Sequence, residues 1–123
     1  MRVGKGQLIK AIISYAEEEM LPQITHRPTQ FMLAFCVNMV KVNPKMADQI
    51  FENPLIKMVL NDDGSGQYDI DIACKAMTET MKTYGGFPVN LPGVPLLKIP
   101  ENLLTFTDSD VAAIRKRIEE GNN

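Results

Sequence analysis

Between Asn61 and Asp71 the chain reads NDDGSGQYDID, with four acidic side chains, two glycines and an asparagine in eleven positions. Carboxylates at that density suggest oxygen ligation of a hard cation such as calcium. With Asn61 at position one of a twelve-residue calcium loop, Asp63, Ser65, Gln67 and Asp69 fall on positions three, five, seven and nine, and Gly66 falls on six. The match fails at position twelve, where Ile72 replaces the bidentate glutamate that supplies two oxygens. Asn61 at position one removes a further charge. The stretch therefore reads as a polar turn in which Gly64 and Gly66 take positive φ and Asp69 or Asp71 caps the following helix. A metal or small-molecule site in the 61–71 loop stands as an alternative.

Other reactive side chains are scattered. His26, the sole histidine, precedes Arg27 and Pro28 at a helix start and reads as a surface or capping imidazole. A metal site needs several ligands, and neither Cys36 nor Cys74 has CxxC or CxxH company. Glu17 to Glu19 offer His26 an acid–base partner, but no serine or cysteine nucleophile is identifiable beside it. VGKGQ at residues 3–7 sets two glycines and Lys5 before a helix without the GxxxxGK[ST] spacing, and reads as a flexible start. RKR at 115–117 lies near a helix C-terminus, where the macrodipole favours cations, and reads as a solvated face. With Lys82 or Lys98 it provides a nucleic-acid alternative that the composition does not favour. No catalytic residue, metal ligand or cofactor is assigned.

The elements that position these residues follow from apolar spacing. The 123 residues, 45% of them apolar, suit one domain with its own core, and a formal net charge of −2 gives no global attraction to nucleic acid or anionic membrane. Two isolated cysteines read as reduced thiols in a cytoplasm, and charges at Lys5, Lys10 and Glu17 to Glu19 interrupt any export signal. Leu8, Ile9, Ile12, Ile13, Ala16 and Met20 mark one face of a helix over 7–21 that Pro22 closes. Its last turn holds Glu17 to Glu19 against the macrodipole, a cost that His26 or Arg27 is placed to offset.

A second helix begins near Pro28 or Thr29 and runs to Val42 with only Asn38 and Lys41 polar after Phe31. Apolar around most of its circumference, it must be central in the fold or central in an oligomer. Asn43-Pro44 and Asn53-Pro54 start two short helices with stripes Met46, Ala47, Ile50, Phe51 and Leu55, Ile56, Val59, Leu60. Ile70, Cys74, Met77, Met81 and Tyr84 then step by four, three, four and three along a helix that Gly85 ends. Prolines at 88, 92, 95 and 100 exclude helix from the 87–106 arm and predict short, proline-limited strands. Thr107 and Asp110 have capping-box spacing for a last helix that turns Val111, Ile114 and Ile118 inward and Arg115 to Arg117 mostly outward.

The succession ENPLIKMVL, DGSGQYDIDIACKAM, YGGFPVNLPG and LTFTDSDVAAIRKRI, over residues 52–118, resembles the small uncharacterised proteins of bacteriophages and prophages of Gram-positive bacteria. That resemblance implies a phage-related origin and a binding or assembly role, with no catalytic residues to transfer.

The expectation is a mainly α, single domain over residues 1–123, of about five or six helices, with the proline-rich arm and a minor two-stranded antiparallel sheet. Its function is expected to be non-enzymatic protein interaction or assembly in the cytoplasm, as a homo-oligomer or with a protein partner. The candidate interaction surface comprises Phe31, Phe35, Asn38 and Met39 on the second helix with Phe87, Val89, Leu91, Leu96 and Leu97 on the arm. Abundant methionine suits both a core of short helices and an adaptable interface.

Overall fold

The computed structural model describes residues 1–52, 54–60, 64–84, 86–89, 97–100 and 105–121; within these, residues 46, 47, 49, 50, 54, 55, 59, 84, 86–89 and 97–100 are described by backbone alone. In chain order the elements are β1 (Arg2–Gly4), α1 (Lys5–Tyr15), α2 (Arg27–Val42), α3 (Asp48–Phe51), α4 (Pro54–Leu60), β2 (Gln67–Asp69), α5 (Ile70–Tyr84), β3 (Gly86–Val89), β4 (Leu97–Pro100) and α6 (Asp108–Glu119). The chain is mainly helical, as its periodicities require, with two short antiparallel pairs. One pair lies within the proline-rich arm, with Phe87 opposite Ile99 and Val89 opposite Leu97.

The other pair joins the start of the chain to the acidic loop, with Val3 opposite Tyr68 and Gly4 opposite Gln67. The expected flexible start at residues 3–7 is therefore the end of β1 followed by the first turn of α1. Val3 is buried, and Ile70 donates its backbone N–H to the carbonyl of Met1 at 3.2 Å. Gly64 and Gly66 take φ of 80° and 75°, the left-handed backbone that returns the chain into β2. Asp69 then accepts the Ile72 N–H at 3.1 Å and caps α5.

α5 is the central helix. Ile70, Ala73, Cys74, Ala76, Met77, Thr80 and Met81 are almost fully inaccessible, and the helix touches α4, α6, β2 and β3. Its two buried hydroxyls are satisfied: Thr80 Oγ1 donates to Ala76 O at 2.8 Å, while Thr78 Oγ1 donates to Cys74 O and accepts the Phe106 N–H at 3.0 Å. Thr78 thus ties the segment before α6 onto α5. The capping box at Thr107 and Asp110 is fully formed, with bonds of 3.1 and 2.8 Å, and α6 buries Ile114 and Ile118. Loss of such a cap costs about 0.5–2 kcal/mol.

The central place expected of the second helix within the fold is not where it sits. α2 buries only Leu33 and Val37; Phe31 is 73% exposed, Phe35 36% and Val42 82%. Its first turn is capped by His26, whose Nδ1 accepts the Thr29 N–H at 3.4 Å. Composition gave the helix an apolar circumference, but the core is closed by α1, α5 and α6 and requires only one side of it.

Beyond Tyr15, α1 opens into a turn with i→i+5 bonding over Ala16–Met20 before Pro22 ends it in a 3₁₀ turn. The three glutamates of that turn are offset by neither His26 nor Arg27. Glu17 meets Lys41 at 3.0 Å, and Glu18 and Glu19 meet Arg117 at 2.8 and 3.8 Å. Arg117 was expected outward, yet it is largely buried: its guanidinium lies 5.8 Å from the Tyr15 ring centre, and it donates to Ser14 Oγ at 3.1 Å. Tyr15 in turn donates its hydroxyl to Asp110, so α1 and α6 are locked by a tyrosine, a carboxylate and an arginine.

Candidate functional site

The expected interaction surface divides unevenly. Phe31, Phe35 and Asn38, joined by Val42, share one outward stripe of α2, spaced by four, three and four residues and all exposed. Met39 leaves that stripe and packs half-buried against the core. The backbone of β4 lies beside α2, which brings the arm to this helix. Phe87 and Val89 belong to β3 and Leu97 to β4, with register but not side chains described, while Leu91 and Leu96 lie outside the described residues. The sequence reading missed that the outward stripe includes Val42, although its spacing from Asn38 was a usable signal.

Along this part of the chain the charges have one sign. No acidic residue occurs between Glu19 and Asp48, an interval that holds His26, Arg27, Lys41 and Lys45. Lys41 is held by Glu17 from the turn after α1.

On the other side of α2 an open groove of about 770 Å³ separates it from α1. Ile9, Ile13 and Val40 provide its apolar floor, and Lys5, Lys10, Lys41 and Lys45 stand along its walls. Lys5 bridges to Asp48 at 2.6 Å; that bond, above all other influences, raises its pKa. A second cleft, about 590 Å³, lies between α5 and α6 and is spanned by an ion pair from Arg115 to Asp71. Arg115 was also expected outward. The RKR cations are thus divided: Arg115 and Arg117 hold carboxylates of α5 and of the turn after α1, and Lys116 points out, 3.9 Å from Glu120.

The two thiols are restrained. Burial pushes the Cys74 thiol up to about 12, with the Asp71 charge adding to the rise, and burial likewise raises half-buried Cys36. Both cysteines are free thiols. Neither environment produces the depressed thiolate that a nucleophile needs. Among the described residues no group of three histidine, cysteine or acidic side chains could hold a metal ion. Asn61, Asp62 and Asp63 lie outside the described residues. Asp69, the ninth position of the calcium-loop register, already spends its carboxylate on the Ile72 N–H, the main cause of its lowered pKa.

Among the described residues no helix is long and apolar enough to cross a membrane. Compared with protein-family models, curated proteins and solved structures, the chain matches none.

Proposed function

We propose that this chain is a non-enzymatic protein-interaction module whose working surface is the outward stripe Phe31, Phe35, Asn38 and Val42 on α2. The observation that carries the reading is exposure: two large apolar side chains are 73% and 82% open to solvent on a helix whose opposite face is already packed. An exposed apolar row at helical spacing fits a helix laid along it, and a central amide such as Asn38 fixes the register of such a pair. The partner is an amphipathic helix with acidic flanks, because Arg27 lies one turn before Phe31 and the interval from Glu19 to Asp48 holds no carboxylate. A second copy would bring a further Arg27 and no carboxylate from the same interval. The two free thiols suit a cytoplasmic setting, and a phage-related assembly role is the context that the sequence resemblance supplies.

The test uses two synthetic amphipathic helices with one apolar face, flanked by glutamates in one and by lysines in the other. Fluorescence anisotropy is expected to show binding of the acidic peptide alone, weakened at least tenfold by Phe31→Ser with Val42→Ser while the melting temperature holds. Equal binding of both peptides, or none of either, overturns the proposal. Light scattering over a hundredfold concentration range separates the rival: a concentration-dependent dimer abolished by the same substitutions would replace the acidic partner with a second copy.

A further inference from the structure

An open groove separates α2 from α1, and besides its buried side chains Leu33 and Val37, α2 is held near each end by a polar contact. Near its start, Gln30 Nε2 donates to the carbonyls of Leu21 and Ile24 at 3.4 and 3.2 Å. Near its end, Lys41 meets Glu17 at 3.0 Å. Both contacts lead to the same place. Glu17 belongs to the widened turn over Ala16–Met20, and Leu21 closes that turn by donating its N–H to Ala16 O. The backbone of α2 likewise lies beside this turn and the 3₁₀ turn Leu21–Gln23 that follows it.

The register of the widened turn has a physical cause. Leu8, Ile12 and Tyr15 are buried along one face of α1. Glu19 follows them by eleven, seven and four residues, so plain i→i+4 winding would set a carboxylate in line with the core. With i→i+5 bonding, Met20 packs half-buried against the core instead, and Glu17, Glu18 and Glu19 are all exposed. Three carboxylates then stand at the negative end of the helix dipole and require cations. Lys41 supplies one to Glu17. The other is Arg117 of α6, which donates to Ser14 Oγ at 3.1 Å and to Glu18 at 2.8 Å, meets Glu19 at 3.8 Å and lies 5.8 Å from the Tyr15 ring centre. The Arg117 side chain is 16% exposed and that of Lys41 is 52% exposed, so the arginine grip is the less screened of the two.

From this geometry we infer that Arg117 is a positioning residue for α2: from α6 it holds the widened turn in its i→i+5 register and so fixes the two points from which α2 hangs. It acts without a bond to α2 among the described residues. The contact makes α6 a control on the surface that α2 carries. The value of that control for binding rests on the stripe proposed above, whereas the control itself does not.

The experiment is hydrogen exchange of the full chain, read peptide by peptide by mass spectrometry. Arg117→Gln should speed exchange about tenfold in residues 16–20 and in α2 while α5 exchanges as in wild type. Glu18→Gln with Glu19→Gln removes the grip from the other side and should give the same pattern, which carries the test should Arg117→Gln fail to fold. Arg117→Lys keeps the charge without the planar fork and should restore part of the protection. Lys116→Gln, whose ion pair is to Glu120 on its own helix, should change nothing. Faster exchange confined to α1 and α6 with α2 unchanged, or acceleration shared equally by α5, would overturn the inference. Fluorescence anisotropy with the acidic peptide adds the link to the stripe: Arg117→Gln should weaken binding about tenfold. A wild-type protein that binds neither peptide removes the stripe reading and leaves the exchange test standing.

Discussion

Tyr15→Phe is the perturbation that most directly probes the lock behind the groove. The ring is 7% exposed, and its hydroxyl donates to Asp110 across the α1–α6 contact. Burial first, and then the bond to the Asp110 carboxylate, raises the phenol from 10.0 to about 12. The fold therefore favours the neutral phenol, and a raised acid contributes its stability in full below its unfolded value. That contribution is lost as pH rises from 10.0 toward about 12, at up to about 1.4 kcal/mol per pH unit. By pH 11, about 1.4 kcal/mol should be gone.

Removing the hydroxyl deletes a hydrogen bond to a charged acceptor, worth about 1.5–3 kcal/mol. Asp110 is not orphaned, because the Thr107 N–H still reaches it at 2.8 Å. Urea denaturation should find the variant less stable by that amount at pH 8, and the gap should narrow by about 1.4 kcal/mol at pH 11. Comparing the two proteins at each pH cancels the other tyrosines and the lysines. A gap of equal size at both pH values would refute the raised phenol, and a gap near zero at pH 8 would refute the lock.

Other substitutions separate core from surface. Leu33→Ala should cost about 2–5 kcal/mol and Phe31→Ala under about 0.5 kcal/mol, with Phe35→Ala between them and below the 3–5 kcal/mol of a fully buried ring, all by denaturant titration. Asp69→Ala should cost about 0.5–2 kcal/mol near neutral pH through loss of its α5 cap. Since the folded carboxyl is held below its ordinary 3.8, wild type should keep this advantage above pH 3.8 and lose it as acid protonates the folded group. Calcium titration at near-physiological salt should show no micromolar binding, because Asp69 is committed to its cap and Ile72 occupies the bidentate position; such binding, abolished by Asp63→Ala, would reverse that reading.

What the sequence revealed was local. The 4-3-4-3 stripe of α5, the capping box at Thr107 and the positive φ at Gly64 and Gly66 each depend on residues within a few positions of one another. Pairings across the chain left no such trace. Arg2–Gly4 has too few residues for strand periodicity and becomes β1 only because Gln67–Asp69 returns alongside it. Likewise Arg115 and Arg117 read as a solvated triplet until α5 and the turn after α1 bring Asp71, Glu18 and Glu19 within reach. The groove was equally hidden, since Lys5 and Asp48, and Glu17 and Lys41, lie far apart in sequence and bound it only once the chain has folded.

α2 shows how a correct pattern leads to the wrong place. At about 100° per residue, Phe31, Phe35, Asn38 and Val42 fall within a sector of about 60°, while Val40, on the groove floor, points about 170° away from its centre. The core takes Leu33 and Val37 on the reverse side. A helix apolar all round needs cover all round, and this fold covers only the reverse side. Centrality was the economical explanation when every apolar residue had to be buried in one chain. Once α5 occupies the centre, the same apolar residues require something outside the fold for the outward stripe, while Val40 on the far side helps floor a groove. The helix is therefore a partition between two surfaces, the outward stripe on one side and the groove it shares with α1 on the other.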